Sequence, residues 1–287
     1  MSQRTISVTI PDAPAGAEVF APTGIETPHN TVERFTLTGG RVVELAAARG
    51  LNLTSALISA EGGPLTITYT LGAPHGAAYP AEAFRPHATP WTSAADALAT
   101  HAKSVVASAQ TEREAVQRLV DEAFARFVYA HPDHRFKEGH TSVPLIACGG
   151  VEGSCVDINT YLIAMLRAAG LSAGYFVGPF FPAEKNGYAA DMHCWVVTIA
   201  DGVVEEWDIA HHLKLGAEVV RPALDPKPGR RVALGHSMGH TYSLTSGDIT
   251  AKLVNDPMWL DAGALKPISG LIIRDDERAD SAERSAA

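Results

Sequence analysis

Several features that would place a chain in a broad class are missing from this sequence. Among its 287 residues there are only three cysteines, Cys148, Cys155 and Cys194. Three cannot all pair, and their spacing is not that of a disulfide framework. No lysine/arginine cluster stands out and the formal net charge is −9, which argues against nucleic acid or an anionic membrane as a partner. No apolar run approaches the length of a membrane span. The N-terminal "MSQRTISVTIPDAPAG" alternates apolar and polar residues and lacks the continuous apolar segment of a secretory signal. No internal repeat is found. These absences give the expectation of a cytoplasmic protein whose thiols stay reduced.

What is present is a globular composition, 46% hydrophobic and 19% charged, with material for one large domain or two ordinary ones. Residues 1–88 read as strands ("TISVTI", "ERFTLTGGRVVELAA", "LTSALISA", "LTITYTLG") divided by Gly-Gly pairs and proline. The aperiodic "PHGAAYPAEAFRPHATPW" reads as a link. Two helices follow, over 93–109 and 111–130, the second opening on a Thr111-x-x-Glu114 capping pattern. A third, after Cys155, is apolar on nearly every face, as a central buried helix should be, and Gly170 ends it. Strands are expected over 171–178, 192–200 and 203–210. The small, charged "DDERADSAERSAA" reads as a frayed tail. The expected division is therefore a β-rich domain 1–88, a second domain 89–272 and a flexible tail 273–287.

The stretch "GVEGSCVDINTYLIAMLRAAG" (150–170) sets Cys155 between a glycine-rich turn and a long helix. Helix N-termini carry partial positive charge and unpaired N–H groups, which favour thiolate over thiol. A packing cysteine would explain the position nearly as well, so the question is whether a base and an acid reach it independently. Asp201-Gly202 is a strong two-residue hairpin turn. With it as the loop, Ala200 faces Val203 and Trp195 faces Asp208. His193, two residues from Trp195, projects from the same face as Asp208. The two are then diagonal neighbours about 7–8 Å apart at the backbone. That spacing lets a carboxylate hold the imidazole by Nδ1–H and leaves Nε2 for a thiol. The same parity puts Cys194 on the opposite face as a core cysteine and turns Glu205 away. Glu206 lies farther along, and Asp191 competes from the loop. A nucleophile, a base and its orienting acid are the expected site: Cys155, His193 and Asp208.

Two other patterns attract notice. Gly235-x-Ser237-x-Gly239 matches the nucleophile elbow of α/β-hydrolases, but turn- and strand-like sequence follows where a helix is needed, and no acid and histidine come after it in order. Twelve histidines include His131, His134 and His140 in one loop, His236 with His240, and adjacent His211-His212. A zinc site wants three or four ligands on a rigid frame, so each set reads better as polar loop. No metal and no cofactor is expected.

The segments "EGSCVDINTYLIAMLRAAGLSAGYFVG", "MHCWVV" and "VVEEWDIA" resemble the three motifs of the transglutaminase-like superfamily, over about residues 93–212. The resemblance implies an α+β architecture, with a β-rich N-terminal domain before a transglutaminase-like, permuted papain-like core. It also implies a Cys-His-Asp triad of Cys155, His193 and Asp208. The pattern is departed from at Gly174, where arginine is usual, and at Ile209-Ala210, where a proline-containing turn is usual. Gly149 stands where papain itself has a glutamine, so beyond the Cys155 amide the oxyanion donors stay open. The expected activity is thiol-dependent acyl transfer (amidase, peptidase or transglutaminase-type transferase) on a peptide or small amide or acyl substrate. Alternatives are acid/base or cyclisation chemistry on a small metabolite, arylamine N-acetyltransferase-type turnover, and a non-catalytic binding module.

Overall fold

A computed structural model describes residues 4–73, 76–85 and 88–277. The chain forms two compact units: Met1–Glu82 with Val177–Met192 and Pro228–Ala287, and Ala83–Phe176 with His193–Lys227. The single boundary expected near residue 88 is thus replaced by a discontinuous division in which the chain re-enters the first unit twice. Strand periodicity cannot show this, because it reports a local repeat and not the distant partner of each strand.

The first unit is built on two antiparallel sheets. One runs in the order Tyr188–Ala189, Ile272–Asp275, Arg4–Ala13, Gly63–Gly72, Thr31–Thr38. The other is seven-stranded, with Gly40–Ala48, Leu53–Ala60 and Glu18–Pro22 as consecutive neighbours. The alternation read in the sequence supplies the core. Ile6, Val8 and Ile10 pair with Tyr69, Ile67 and Leu65, and all six are buried. The expected frayed tail is corrected at its start. Residues 272–275 form a strand on Arg4–Ala13, because Ile273 fills the core and buried Asp275 accepts from Arg4 Nη2 at 2.7 Å. Four residues are too few to show a period. Residues 278–287 of that tail, and 74–75 and 86–87 of the expected link, lie outside the described residues.

The second unit holds the helices: α1 (Asp96–Val106), α2 (Glu112–Arg126), α3 (Cys155–Ala168) and the short α4 (Ile209–Lys214). α1 and α2 pack on α3, which is buried at eleven of its fourteen positions and so needs apolar side chains nearly all round. Thr111 caps α2 by accepting from the Glu114 amide at 3.1 Å, as its sequence pattern predicts. The hairpin of Met192–Ala200 and Val203–Trp207 has the expected register, with Ala200 opposite Val203 and Val196 opposite Trp207. Asp201 (φ 50°) and Gly202 (φ 74°) both lie in the left-handed region that this tight turn demands. The Asp201 carboxylate also accepts from the Arg113 amide at 3.0 Å, which ties the turn to the start of α2. Among the described residues no helix is long and apolar enough to cross a membrane.

Candidate active site

Cys155 is the first residue of α3 and is 8% exposed. Its position is set by the turn before it. A Cβ at Gly153 would come within 2.7 Å of the Phe127 ring and 3.2 Å of Asp157 Cβ, so only glycine fits there. The acid two residues after the cysteine belongs to this turn and not to the chemistry. Asp157 accepts from the Ser154 amide at 3.0 Å and from its hydroxyl at 2.6 Å. This is the carboxylate half of a capping box, and it locks the entry to the helix.

The hairpin delivers His193 to this cysteine. His193 is 5% exposed, Asp208 is fully buried, and the ring Nε2 lies 2.7 Å from Asp208 Oδ2. The nitrogen that faces the acid is not the expected one: Nε2, and not Nδ1, lies against Asp208. The expected strand to residue 210 is also corrected, since Val203–Trp207 ends at the residue before the acid. Asp208 is instead the N-cap of α4 and accepts from the His211 amide at 3.0 Å. A carboxylate at a helix start approaches the ring from a direction no strand register specifies.

His211, which the sequence places only among polar histidine pairs, is buried and completes this cluster. Its ring stacks on His193, with centroids 4.1 Å apart and planes 6° from parallel, and its Nδ1 lies 2.8 Å from the same Asp208 Oδ2. The spacing Asp-x-x-His would have revealed it had residues 208–214 been read as a helix. His193, Asp208 and His211 are the only set among the described residues whose ligand atoms lie close enough to hold a metal ion. Oδ1 and Oδ2 are already engaged by the His211 amide and the His193 ring.

Cys194 is the second addition. It was expected only as a core cysteine on the far face, and it is buried, at 1% exposure. Hydrogen bonding from its side chain and its backbone nevertheless helps to lower the Cys155 thiol. Asn159, one turn along α3, donates from Nδ2 to the Cys194 carbonyl at 2.9 Å and meets Cys194 Sγ at 3.4 Å. Strand parity sorts side chains between faces but leaves the main chain common to both, and Cys155 addresses the strand there.

These contacts set the charges. The hydrogen bond from Cys194 holds the Cys155 thiol well below the usual thiol range; burial opposes this, and the hydrogen bond and charge of His193 reinforce it. Burial disfavours the charged form of His193, but the Asp208 charge and hydrogen bond outweigh it and Cys155 adds to them, raising the imidazole to about 9. Burial, then Cys155, pushes the Cys194 thiol well up. These directions favour the charged forms of Cys155 and His193 and the neutral form of Cys194.

The remaining sequence candidates are elsewhere engaged. Glu205 turns away as expected and pairs with Arg113 at 2.5 Å. Asp191 is exposed and lies in the other unit. His134 bonds Glu138 at 3.1 Å and His131 bonds the Tyr129 hydroxyl at 2.9 Å, both on the surface. Ser237 in the first unit is fully buried at φ 64°, with its Oγ 3.0 Å from His236 Nδ1. The strand His240–Leu244 follows it, and no helix does.

Residues 99–204 match the model of the transglutaminase-like superfamily. No curated protein matches the sequence. Among solved structures, a "putative cysteine protease" from Cytophaga hutchinsonii is 12% identical with a TM-score of 0.50, over 96% of this chain and 98% of that one. The periplasmic domain of TgpA from Pseudomonas aeruginosa is 12% identical with a TM-score of 0.38, over 73% of this chain and 90% of that one.

Proposed function

From the premise that this chain carries a transglutaminase-like core, we propose that it is a cysteine enzyme that transfers an acyl group through a thioester on Cys155. One observation carries the reading: the ring of His193, whose hydrogen bond and charge help to lower the Cys155 thiol, is held 2.7 Å from buried Asp208. The substrate class that suits this pair is a peptide or small amide.

The thiolate attacks the carbonyl carbon, and the electron pair of the C=O bond moves to oxygen. The Cys155 amide, at the first position of α3, is a donor directed at that oxyanion. As the tetrahedral species collapses, the C–N bond breaks and imidazolium gives its proton to the departing amine. His193, now neutral, takes a proton from water or an acceptor amine, which attacks the thioester and restores the thiolate. Asp208 stays ionised throughout, orienting the ring and balancing its charge. His211, stacked behind His193, limits rotation of the ring.

The test is an acid quench shortly after mixing the protein with an aryl ester of an N-acylated peptide, followed by peptide mapping. An acyl group on the Cys155 peptide, absent from Cys155→Ala, is the expected result. Equal turnover by wild type and Cys155→Ala, with no adduct at residue 155, overturns the reading.

A further inference from the structure

At the far end of α3 from Cys155, one positive charge has no negative partner. Arg167, in the last turn of that helix, is half-buried and bonded to main chain only. Its Nε donates to the Ala173 carbonyl at 3.2 Å, and Nη2 donates to the Ala173 and Ala83 carbonyls at 3.2 and 3.1 Å. Nη1 is shut off from water and makes no hydrogen bond. Burial pushes the guanidinium down to about 10, and no acid acts against that. A cation withdrawn from water is ordinarily matched by a carboxylate. Carbonyl oxygens supply partial charge only.

Arg167 also lines a cavity of about 350 Å³ within the second unit. Lys103, in the last turn of α1, lines it too; its side chain is exposed and forms no ion pair among the described residues. Thr92 and Ser93 add hydroxyls, and the rest of the lining is alanine, including Ala99 and Ala164. No acidic residue lines the cavity, although the chain carries 32 acidic against 23 basic residues. The loop before α1 is held in place by its own bonds. The Ser93 amide donates to the Thr89 carbonyl at 3.0 Å, and the Thr89 amide donates to Ser93 Oγ at 3.1 Å. Ser93 Oγ is thus an acceptor there and keeps its own proton for another partner.

We propose that this cavity binds phosphate, free or as the monoester of a small molecule, with Arg167, Lys103 and Ser93 as the residues that hold it. Charge selects the ligand class. Two cations without acids match a group of about −1.5 to −2 at neutral pH, whereas a carboxylate answers only one of them. The donor count agrees. Guanidinium, ammonium and hydroxyl are three donor groups for the three terminal oxygens of a phosphomonoester. The volume lies at the lower end of small-molecule sites, and alanine walls leave it open. Cys155 begins the helix that Arg167 ends, so at ~1.5 Å per residue the two lie about 18 Å apart. The site is therefore separate from the thiol and stands whatever Cys155 acylates.

The full chain is titrated by calorimetry and thermal unfolding with inorganic phosphate, glycerol 3-phosphate and acetate, at ionic strength held constant with sodium chloride. A saturable heat and a rise in Tm with either phosphate are expected, since a ligand of the folded state stabilises it; acetate should bind at least about tenfold more weakly. Tighter binding of glycerol 3-phosphate assigns a monoester, and equal binding assigns the free ion. Lys103→Glu, at an exposed position, should leave Tm without ligand unchanged and weaken phosphate binding about tenfold or more. Arg167→Gln should abolish binding. Because it also loosens the Ala83 and Ala173 carbonyls, Ser93→Ala provides a second variant that keeps them, with an expected loss of several-fold. A phosphate response no larger than that to acetate, or unchanged affinity in Lys103→Glu and Ser93→Ala, overturns the proposal. Heat and Tm are read without any acyl substrate, so failure here is distinct from failure of the cysteine chemistry.

Discussion

Each unit of this protein buries a small nucleophile beside a histidine, yet the two clusters are built for different ends. In the second unit His193 lies between the Cys155 thiol and the Asp208 carboxylate, 2.7 Å away. In the first, His236 bonds the neighbouring Ser237 hydroxyl at 3.0 Å, and His240 Nε2 faces the backbone carbonyls of His236 and Ser237 at 3.0 and 3.3 Å. His240 Nδ1 meets the Tyr242 hydroxyl at 3.2 Å. His240 is spent on closing a tight turn whose serine sits at φ 64°. The lesson is that a nucleophile–histidine contact alone says little, whereas a buried carboxylate held 2.7 Å from the ring, as at His193, is what raises an imidazole's affinity for its proton.

The largest expected effect breaks or upholds this contrast directly. Cys155→Ala should lower acyl turnover by at least about 10³-fold, while Ser237→Ala changes it by less than about twofold. Comparable losses, read by steady-state release from an aryl ester, would erase the distinction between the clusters. Asp208 is next. Asp208→Asn should keep the fold and lower kcat/KM by about 10²- to 10⁴-fold, through loss of ring orientation and of the balancing charge. Asp208→Ala also removes the cap of α4 and should cost about 3–5 kcal/mol in denaturant unfolding. A variant that unfolds like wild type would show the acid to be dispensable.

The pH dependence sharpens the comparison further. Because the Cys155 thiol is lowered and His193 is raised to about 9, the ion pair spans neutral pH. Cys155 should alkylate rapidly even near pH 6. Turnover of poor leaving groups should fall as pH rises through about 9, where the imidazolium loses the proton it must donate. Flat alkylation, with the profile of an ordinary thiol, would place this cluster alongside the one around Ser237. The smallest effect is that of Cys194→Ala. Without the donated hydrogen bond, the acid limb of Cys155 alkylation should move to higher pH while turnover at neutral pH persists. An unchanged acid limb would show that His193 alone holds the thiolate.

Much of the site was legible in one dimension. Asp201-Gly202 wrote the turn and hence the register, and the glycines before Cys155 marked a helix entry. The apolar run after it marked a helix that would be buried. Other features were not legible. Strand periodicity carries Asp208 into a strand, although it follows the strand and caps the next helix; that reading hides His211 and misplaces the ring nitrogen that faces the acid. Parity assigns Cys194 to the far face, while hydrogen bonding from it helps to lower the Cys155 thiol. The re-entry of 177–192 and 228–287 into the first unit left no periodic trace.

The sequence alone determined what local sterics and burial enforce: a hairpin with one register, an apolar helix, and a cysteine at its polarised end. Those follow from turn geometry and from the repeat of apolar residues, which act over a few positions. Tertiary structure decided which imidazole nitrogen meets the carboxylate, that a second histidine lies against the same oxygen, and that Cys194 takes part in lowering the Cys155 thiol. Those depend on angles and ångström-scale distances between segments far apart in the chain, which are set only when the whole core is packed.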